Sequence, residues 1–525
     1  MKRLSLLMLV AVVIIIAGCQ AVAGVDLNRV LLNSLKVQTL ESKGSFSFQL
    51  LRNEAADTNE ELSDESAELM SLFSNITLQV DEAKQQDSTH MSMKGALKLG
   101  ERSIGYSLIV DGQTALMTIE GAKRPFWIDM TGRTALDMYN YGLDLEDDGS
   151  AQTDSTSLTE IGYKLMDHVG GYLIDKMPNP TDLSVDPIVQ ETVNGETLSL
   201  AHVNVKLDAA QAWTWVKSYL TVLTSDRDGM RTMMKGFVDL VLADPVLRDA
   251  IAVDENGEVY EPTEEDIDTA VDEIIDELTS LNESMIEMEK EDDFSEVINK
   301  NSSVKADVYV DATLDIRKLS LEAQYKPDFS TIEDEEEMPF EGFVLRMDQE
   351  RWNVNGDVVT EKLTKKQRLS AISLESLESK QGYETLRLFD PSSDAYWLLR
   401  NQFHIGKQTA SWSVWSEDTP VIVTASGVTI VPLRDAANKL GLNLTVERDG
   451  IHLSDPATGT TIVVNKGSKQ ALVNGSKVTW SYPVTVVDNV AYVPARDFAK
   501  ALGATVSWLS YDDIKYRFTM EREVG

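Results

Sequence analysis

The chain carries one thiol, Cys19, in 525 residues, so that sulfur has no disulfide partner within the chain. Its five histidines, His90, His168, His202, His404 and His452, include no His-x-His or other close pair of the kind that holds a transition metal. His90 and His202 fall within strand-like runs, where a histidine satisfied by its neighbours is the commoner outcome. Two acidic stretches approach calcium loops. Asp144-Leu145-Glu146-Asp147-Asp148-Gly149 starts as such a loop does, but its twelfth position is Ser155 in place of the bidentate glutamate. Asp254-Glu255-Asn256-Gly257 lacks a first ligand, because Ala252 stands there. The chain has no Gly-x-Ser-x-Gly elbow, no phosphate-cradling glycine loop and no His-Glu-x-x-His helix. With 86 Asp and Glu, no carboxylate pair stands out as acid and base. The residues predict no catalytic set, no cofactor and no metal site, and so a protein that is not an enzyme.

What surrounds Cys19 is more specific. Met1-Lys2-Arg3 is basic, residues 4–16 are almost wholly apolar, and Ala17 and Gly18 are small. This is the pattern of a secretory signal, too short and wrongly flanked for a lasting membrane span. Ile16-Ala17-Gly18-Cys19 resembles the lipobox of bacterial lipoproteins. That resemblance implies acylation of the Cys19 thiol and cleavage before it, leaving 1–18 as signal peptide and 19–24 as lipidated tether. Two acyl chains, at about 0.8 kcal/mol per buried methylene, hold a protein on a bilayer stably where one does not. The expected location is the extracytoplasmic face of a bacterial cell membrane. A net charge of −38 repels nucleic acid, and no basic patch with interleaved aromatics offsets it.

Behind the tether, apolar spacing predicts a helix over 26–41, then strands with Phe46, Phe48 and Leu50, with Ile76, Leu78 and Val80, and with Ile104, Tyr106, Leu108 and Val110. Further strands follow at 115–120 and 125–128. Helices take over from about 155: one marked by Leu158, Ile161, Leu165, Met166 and Val169, one capped by Asp208, one through Met230–Val241, and a long one from Thr263, with Asp266 three residues on. The last has a stripe of Ile267, Val271, Ile274, Ile275, Leu278, Leu281 and Met285, and an intensely acidic outer face. Strands return at 304–310, 314–325 and 343–354. The fold class this predicts for 25–360 is α+β, a large antiparallel sheet with helices on one face. In outline it is similar to the open half-barrel of bacterial lipoprotein carriers, which implies a lipid held between sheet and helices. Trp213, Trp215 and the methionines at 230–234 are candidates for lining that space, and equally for filling it as core. Residues 361–418 read as linker and connecting segment.

The C-terminal stretch repeats itself. Thr429-Ile430-Val431-Pro432-Leu433-Arg434-Asp435-Ala436-Ala437-Asn438-Lys439-Leu440-Gly441 recurs 62 residues later as Ala491-Tyr492-Val493-Pro494-Ala495-Arg496-Asp497-Phe498-Ala499-Lys500-Ala501-Leu502-Gly503. Each copy reads as strand, short helix opened by proline and closed by glycine, then strand, giving a small α+β domain of two β-α-β-type repeats over 419–520. Arg434 and Arg496 are expected to hold nearby carboxylates or turn carbonyls, with contact to a ligand as the other outcome. These residues, with the tryptophan that ends the next strand at 508, resemble the N-terminal stalk domain of copper amine oxidases, a module of Gram-positive surface proteins. The oxidase chemistry itself requires three copper-binding histidines and an Asn-Tyr-Asp/Glu motif; here Asn140-Tyr141 is followed by Gly142. The expectation is therefore a membrane-anchored envelope lipoprotein whose stalk-like domain meets wall polymer or another envelope protein. Its alternative is a carrier or sensor of a lipid or other hydrophobic ligand through 25–360.

Overall fold

The computed structural model describes residues 22–53, 70–129, 164, 166–243, 248, 260–291, 294–328, 340–377, 379–416, 420–511 and 514–525. Cys19, both calcium-like stretches and the part of the expected helix around Leu158 and Ile161 lie outside them, while its last residues form a π-helical turn, Met166–Gly170. The chain divides into two compact units, one of 1–119 with 125–371 and one of 120–124 with 372–525.

The first unit is α+β, as the sequence predicts. Its strands are β1 (Leu40–Arg52), β2 (Asn75–Gln85), β3 (His90–Leu99), β4 (Arg102–Asp111), β5 (Thr114–Ile119), β6 (Phe126–Asp129), β7 (Leu183–Val193), β8 (Glu196–Asp208), β9 (Ser303–Val310), β10 (Ile316–Tyr325) and β11 (Phe340–Trp352). They lie side by side as β6-β5-β4-β3-β2-β1-β11-β10-β9-β8-β7 in an antiparallel half-barrel. Two meanders thus join where β11 returns to β1, with Phe46 opposite Met347. Strict alternation explains the strands: Val304, Ala306, Val308 and Val310 are buried, and Lys305, Asp307 and Tyr309 face the other way.

Helix α1 (Leu27–Leu35) begins at Asp26, whose carboxylate accepts from the Arg29 N–H, but it ends six residues before the expected Glu41, which lies in β1. The helix layer comprises α2 (Gly171–Asp175), α3 (Ala209–Ser225), α4 (Arg227–Ala243) and α5 (Glu264–Met288). Capping boxes Asp208/Gln211 and Thr263/Asp266 open α3 and α5, satisfying amide groups that would otherwise be orphaned. The expected stripe of α5 is largely buried, with Leu281 the exposed exception. Its acidic outer face is partly neutralised by α4: Arg227 meets Asp272 at 2.7 Å, Arg231 meets Asp268 at 2.6 Å, and Lys235 pairs with Glu264. Trp213, Trp215 and Met230 are core residues, and the two indole N–H groups donate to Glu289 (2.8 Å) and the Pro178 carbonyl (2.7 Å).

Cross-strand register aligns one apolar row on the helix side of the sheet: Val205, Ala306, Leu321, Met347, Phe46, Leu78, Leu97 and Ile104. Where the helices lie over it the row is sealed, with Val205 at 1% and Ala306 at 0% exposure. At its centre Phe46 is 47% and Leu78 38% exposed. Glycines bend the sheet close by. Gly44 and Gly95 both lie opposite Val80, and a Cβ on Gly95 would stand 1.9 Å from the Gln79 carbonyl oxygen. Tyr106 covers that gap from the next strand and donates its hydroxyl to the same carbonyl at 3.2 Å.

The second unit contains three sheets. β12 (Lys407–Ser413), β23 (Ile514–Glu523) and β22 (Thr505–Tyr511) form one; β13 (Ile422–Val423), β14 (Thr429–Pro432), β21 (Val490–Pro494) and β20 (Thr485–Val487) another; β15 (Asn443–Glu447), β16 (Gly450–Ser454), β17 (Thr461–Val464), β18 (Gln470–Val473) and β19 (Ser476–Thr479) the third. The stretch read as connector therefore supplies β12, and its Ala410 and Trp412 enter the core of this unit. The repeat is a local two-fold: β14 and β21 pair so that Val431 faces its own equivalent, Val493. Helices α6 (Leu433–Lys439) and α7 (Ala495–Leu502) follow Pro432 and Pro494, which stand one position before the helix as N-caps. Gly441 and Gly503, at φ 69° and 68°, take the left-handed conformation that ends each.

Candidate functional site

Helix α7 buries Ala495, Phe498, Ala499 and Leu502, which turns Arg496 outward. The neighbouring Asp497 faces Ser481 and accepts from its N–H at 2.9 Å and from its hydroxyl. In the first copy Asp435 accepts from the Trp412 indole N–H at 2.6 Å and pairs with Lys439 at 2.8 Å. The expected structural role of the repeated arginines is thus corrected. The aspartates bind the surroundings, while Arg434 and Arg496 are exposed and hold no hydrogen bond or ion pair among the described residues. The physical reason is position: the first turn of each helix points its second residue to solvent and its third toward the preceding chain.

Arg496 opens onto a cleft of about 360 Å³ lined also by Val423, Thr429, Ser481, Trp508 and Lys515. Lys515 Nζ lies 5.9 Å from the centre of the Trp508 ring, and that ring stands edge-on to buried Phe518 at 5.1 Å. Two cations, an indole fixed from behind and two hydroxyls suit an anionic group carried on a ring or chain. The guanidinium offers fork-shaped donors, the ammonium a point charge and the indole a stacking surface. The charge balance of the unit fits. Residues 413–525 hold 11 Lys and Arg against 12 Asp and Glu, so nearly all of the −38 lies upstream. Sequence spacing singled out Arg496 and Trp508 but missed Lys515 and Ser481. Lys515 comes alongside only because β22 and β23 form a hairpin with an irregular register after Leu509.

The histidines have structural partners. His90 meets Asp87 at 2.8 Å, His202 meets Asp307 at 2.7 Å and stacks on Tyr309, and His168 meets the Met233 carbonyl at 2.9 Å. His452 is 3.0 Å from Asp449 at the tip of the β15–β16 hairpin, with Glu447 beside them. The His452 hydrogen bond holds the Asp449 carboxyl below its ordinary range. This trio is a surface turn closed by an internal hydrogen bond.

With this geometry in place, the C-terminal unit can be compared with known protein families. Residues 413–513 match the family described as the copper amine oxidase N-terminal domain. No curated protein matches the chain.

Proposed function

We propose that the chain is a membrane-tethered, non-catalytic envelope protein that uses the Arg496–Trp508–Lys515 cleft to hold an anionic wall polymer or envelope protein. The cleft carries this reading, because it gathers two exposed cations, neither in an ion pair among the described residues, and an indole in the unit that matches the stalk-like family. Cys19 at the end of a secretory signal is what would hold the protein at the surface. The test is sedimentation of the full chain with purified bacterial wall. Arg496 and Lys515 are both exposed, so R496A/K515A should fold normally by circular dichroism while its wall-bound fraction falls at least tenfold. Binding by the parent chain should also weaken with salt, as exposed charges are screened. A parent chain left wholly in solution, or a double variant that binds undiminished, removes this reading.

The half-barrel supports a second reading, a carrier of a lipid or other hydrophobic ligand. The space between sheet and helices is filled by Trp213, Trp215 and the methionines at 230–234. The surface that favours a ligand is instead the row beyond the helices, where Phe46 and Leu78 face each other and are both exposed. On this reading a fluorescent fatty acid binds the chain saturably, and F46D/L78D weakens it at least tenfold. Equal fluorescence with both proteins contradicts it.

A further inference from the structure

The sheet face turned away from the helices carries a ladder of charges whose signs do not balance. Lys206 on β8 lies directly opposite Lys305 on β9, Lys305 opposite Glu322 on β10, and Glu322 opposite Arg346 on β11. Directly opposed side chains in an antiparallel pair lie about 5 Å apart at Cβ, where like charges destabilise the pairing. One carboxylate serves two of these cations: Glu322 is 2.7 Å from Lys305 Nζ and 2.9 Å from Arg346 Nε. The excess is left at the Lys206 end.

At that end is an open groove of about 640 Å³ into which Lys206, Lys300, Lys305 and Lys326 converge. Lys305 is taken by Glu322, and Lys326 by Glu341 at 2.6 Å. Lys206 and Lys300 are exposed and have no side-chain partner among the described residues. Two acids also line the groove. Asp208 is committed to capping α3 through the Gln211 N–H at 2.8 Å, and Asp182 is exposed. Four lysines gathered on one face of a chain of net charge −38 run against its composition.

We infer that this groove binds a phosphate-class anion. The donor set decides the class. The lining residues include lysines and no arginine, so the groove presents mobile point charges that suit a compact multivalent anion, whereas planar carboxylates are held best by a guanidinium fork. Gln211, Asn301 and Ser303 on its walls offer uncharged polar groups for the remaining oxygens. A free phosphate compound and an anionic phospholipid headgroup share this chemistry. The inference does not depend on the cleft of the second unit.

The test uses the full chain carrying Cys19→Ser, so that no acyl chain contributes. Pyrophosphate is titrated by calorimetry, and vesicles of phosphatidylglycerol and of phosphatidylcholine are sedimented with the protein. K206Q/K300Q, which removes the two unpaired charges and no described contact, is expected to lose at least tenfold in affinity. Should that pair alter the circular dichroism, K300E alone is the comparison. Pyrophosphate binding without vesicle binding assigns a free phosphate compound. Sedimentation with phosphatidylglycerol alone, reversed by pyrophosphate, assigns a headgroup. No binding of either probe by the parent, or binding that the lysine variants leave unchanged, overturns the inference.

Discussion

Asp455→Ala is expected to destabilise the C-terminal unit by about 3–5 kcal/mol, because it leaves the Arg522 guanidinium buried without its counter-charge. The side chains of Arg522 and Asp455 are 1% and 0% exposed. Arg522 Nη1 and Nη2 reach the two carboxylate oxygens at 2.5 and 3.2 Å, Nη2 also donates to the Leu440 carbonyl at 2.8 Å, and Nε donates to Gln408 at 2.7 Å. One side chain thereby pins β23 to the end of α6, to the turn after β16 and to β12. Asp455 is satisfied in turn by the Thr458 hydroxyl at 2.6 Å and the Ala457 N–H at 3.0 Å. Arg522→Ala should cost a similar amount, and a double change to apolar residues distinctly less, since removing both charges removes the unpaired one. Thermal unfolding of the three variants checks this; single changes as mild as the double one would contradict it. The pH dependence has a definite sign. Burial pushes the Asp455 carboxyl up, but the Arg522, Thr458 and Ala457 donors outweigh it and leave it below the ordinary carboxylate value. A lowered folded-state value contributes stability that is complete above about pH 4 and is lost as pH falls through the lowered value.

Cys19→Ser should move the protein almost completely from the membrane fraction to the soluble fraction. No helix among the described residues is long and apolar enough to cross a membrane. On the proposed reading, binding then rests on the two acyl chains of Cys19. At about 0.8 kcal/mol per buried methylene, losing both removes far more than surface contacts of this acidic chain would restore. Fractionation of cells expressing each form checks the expectation, and a serine form that stays with the membrane would contradict it.

How much of this was readable beforehand follows the range of each signal. Caps and alternation are local, so Asp208, Thr263 and the 304–310 strand were all placed correctly. The repeat is legible because two 13-residue stretches that agree at seven positions build the same turn twice. The β7–β8 hairpin was not foreseen. β7 is an edge strand with an irregular pairing and an outward Ile188, so its apolar pattern is weak, although Asn194-Gly195 is a strong hairpin turn. α1 is shorter than its apolar spacing predicts, because that spacing continues into residues that β1 claims. The Asp455–Arg522 pair spans 67 positions, and the Lys206–Lys305 opposition 99, and nothing local in the sequence announces either. The cleft was half visible: the repeat marked Arg496, while Lys515 needed the register of a later hairpin.

The measurement that bears most directly on the tethered-envelope account is the mass of the N-terminal peptide of the protein extracted from membranes. The account predicts a peptide that begins at Cys19, lacks residues 1–18 and carries a diacylglyceryl group on sulfur. A chain that still begins at Met1, or one that begins near residue 19 with an unmodified thiol, would contradict it.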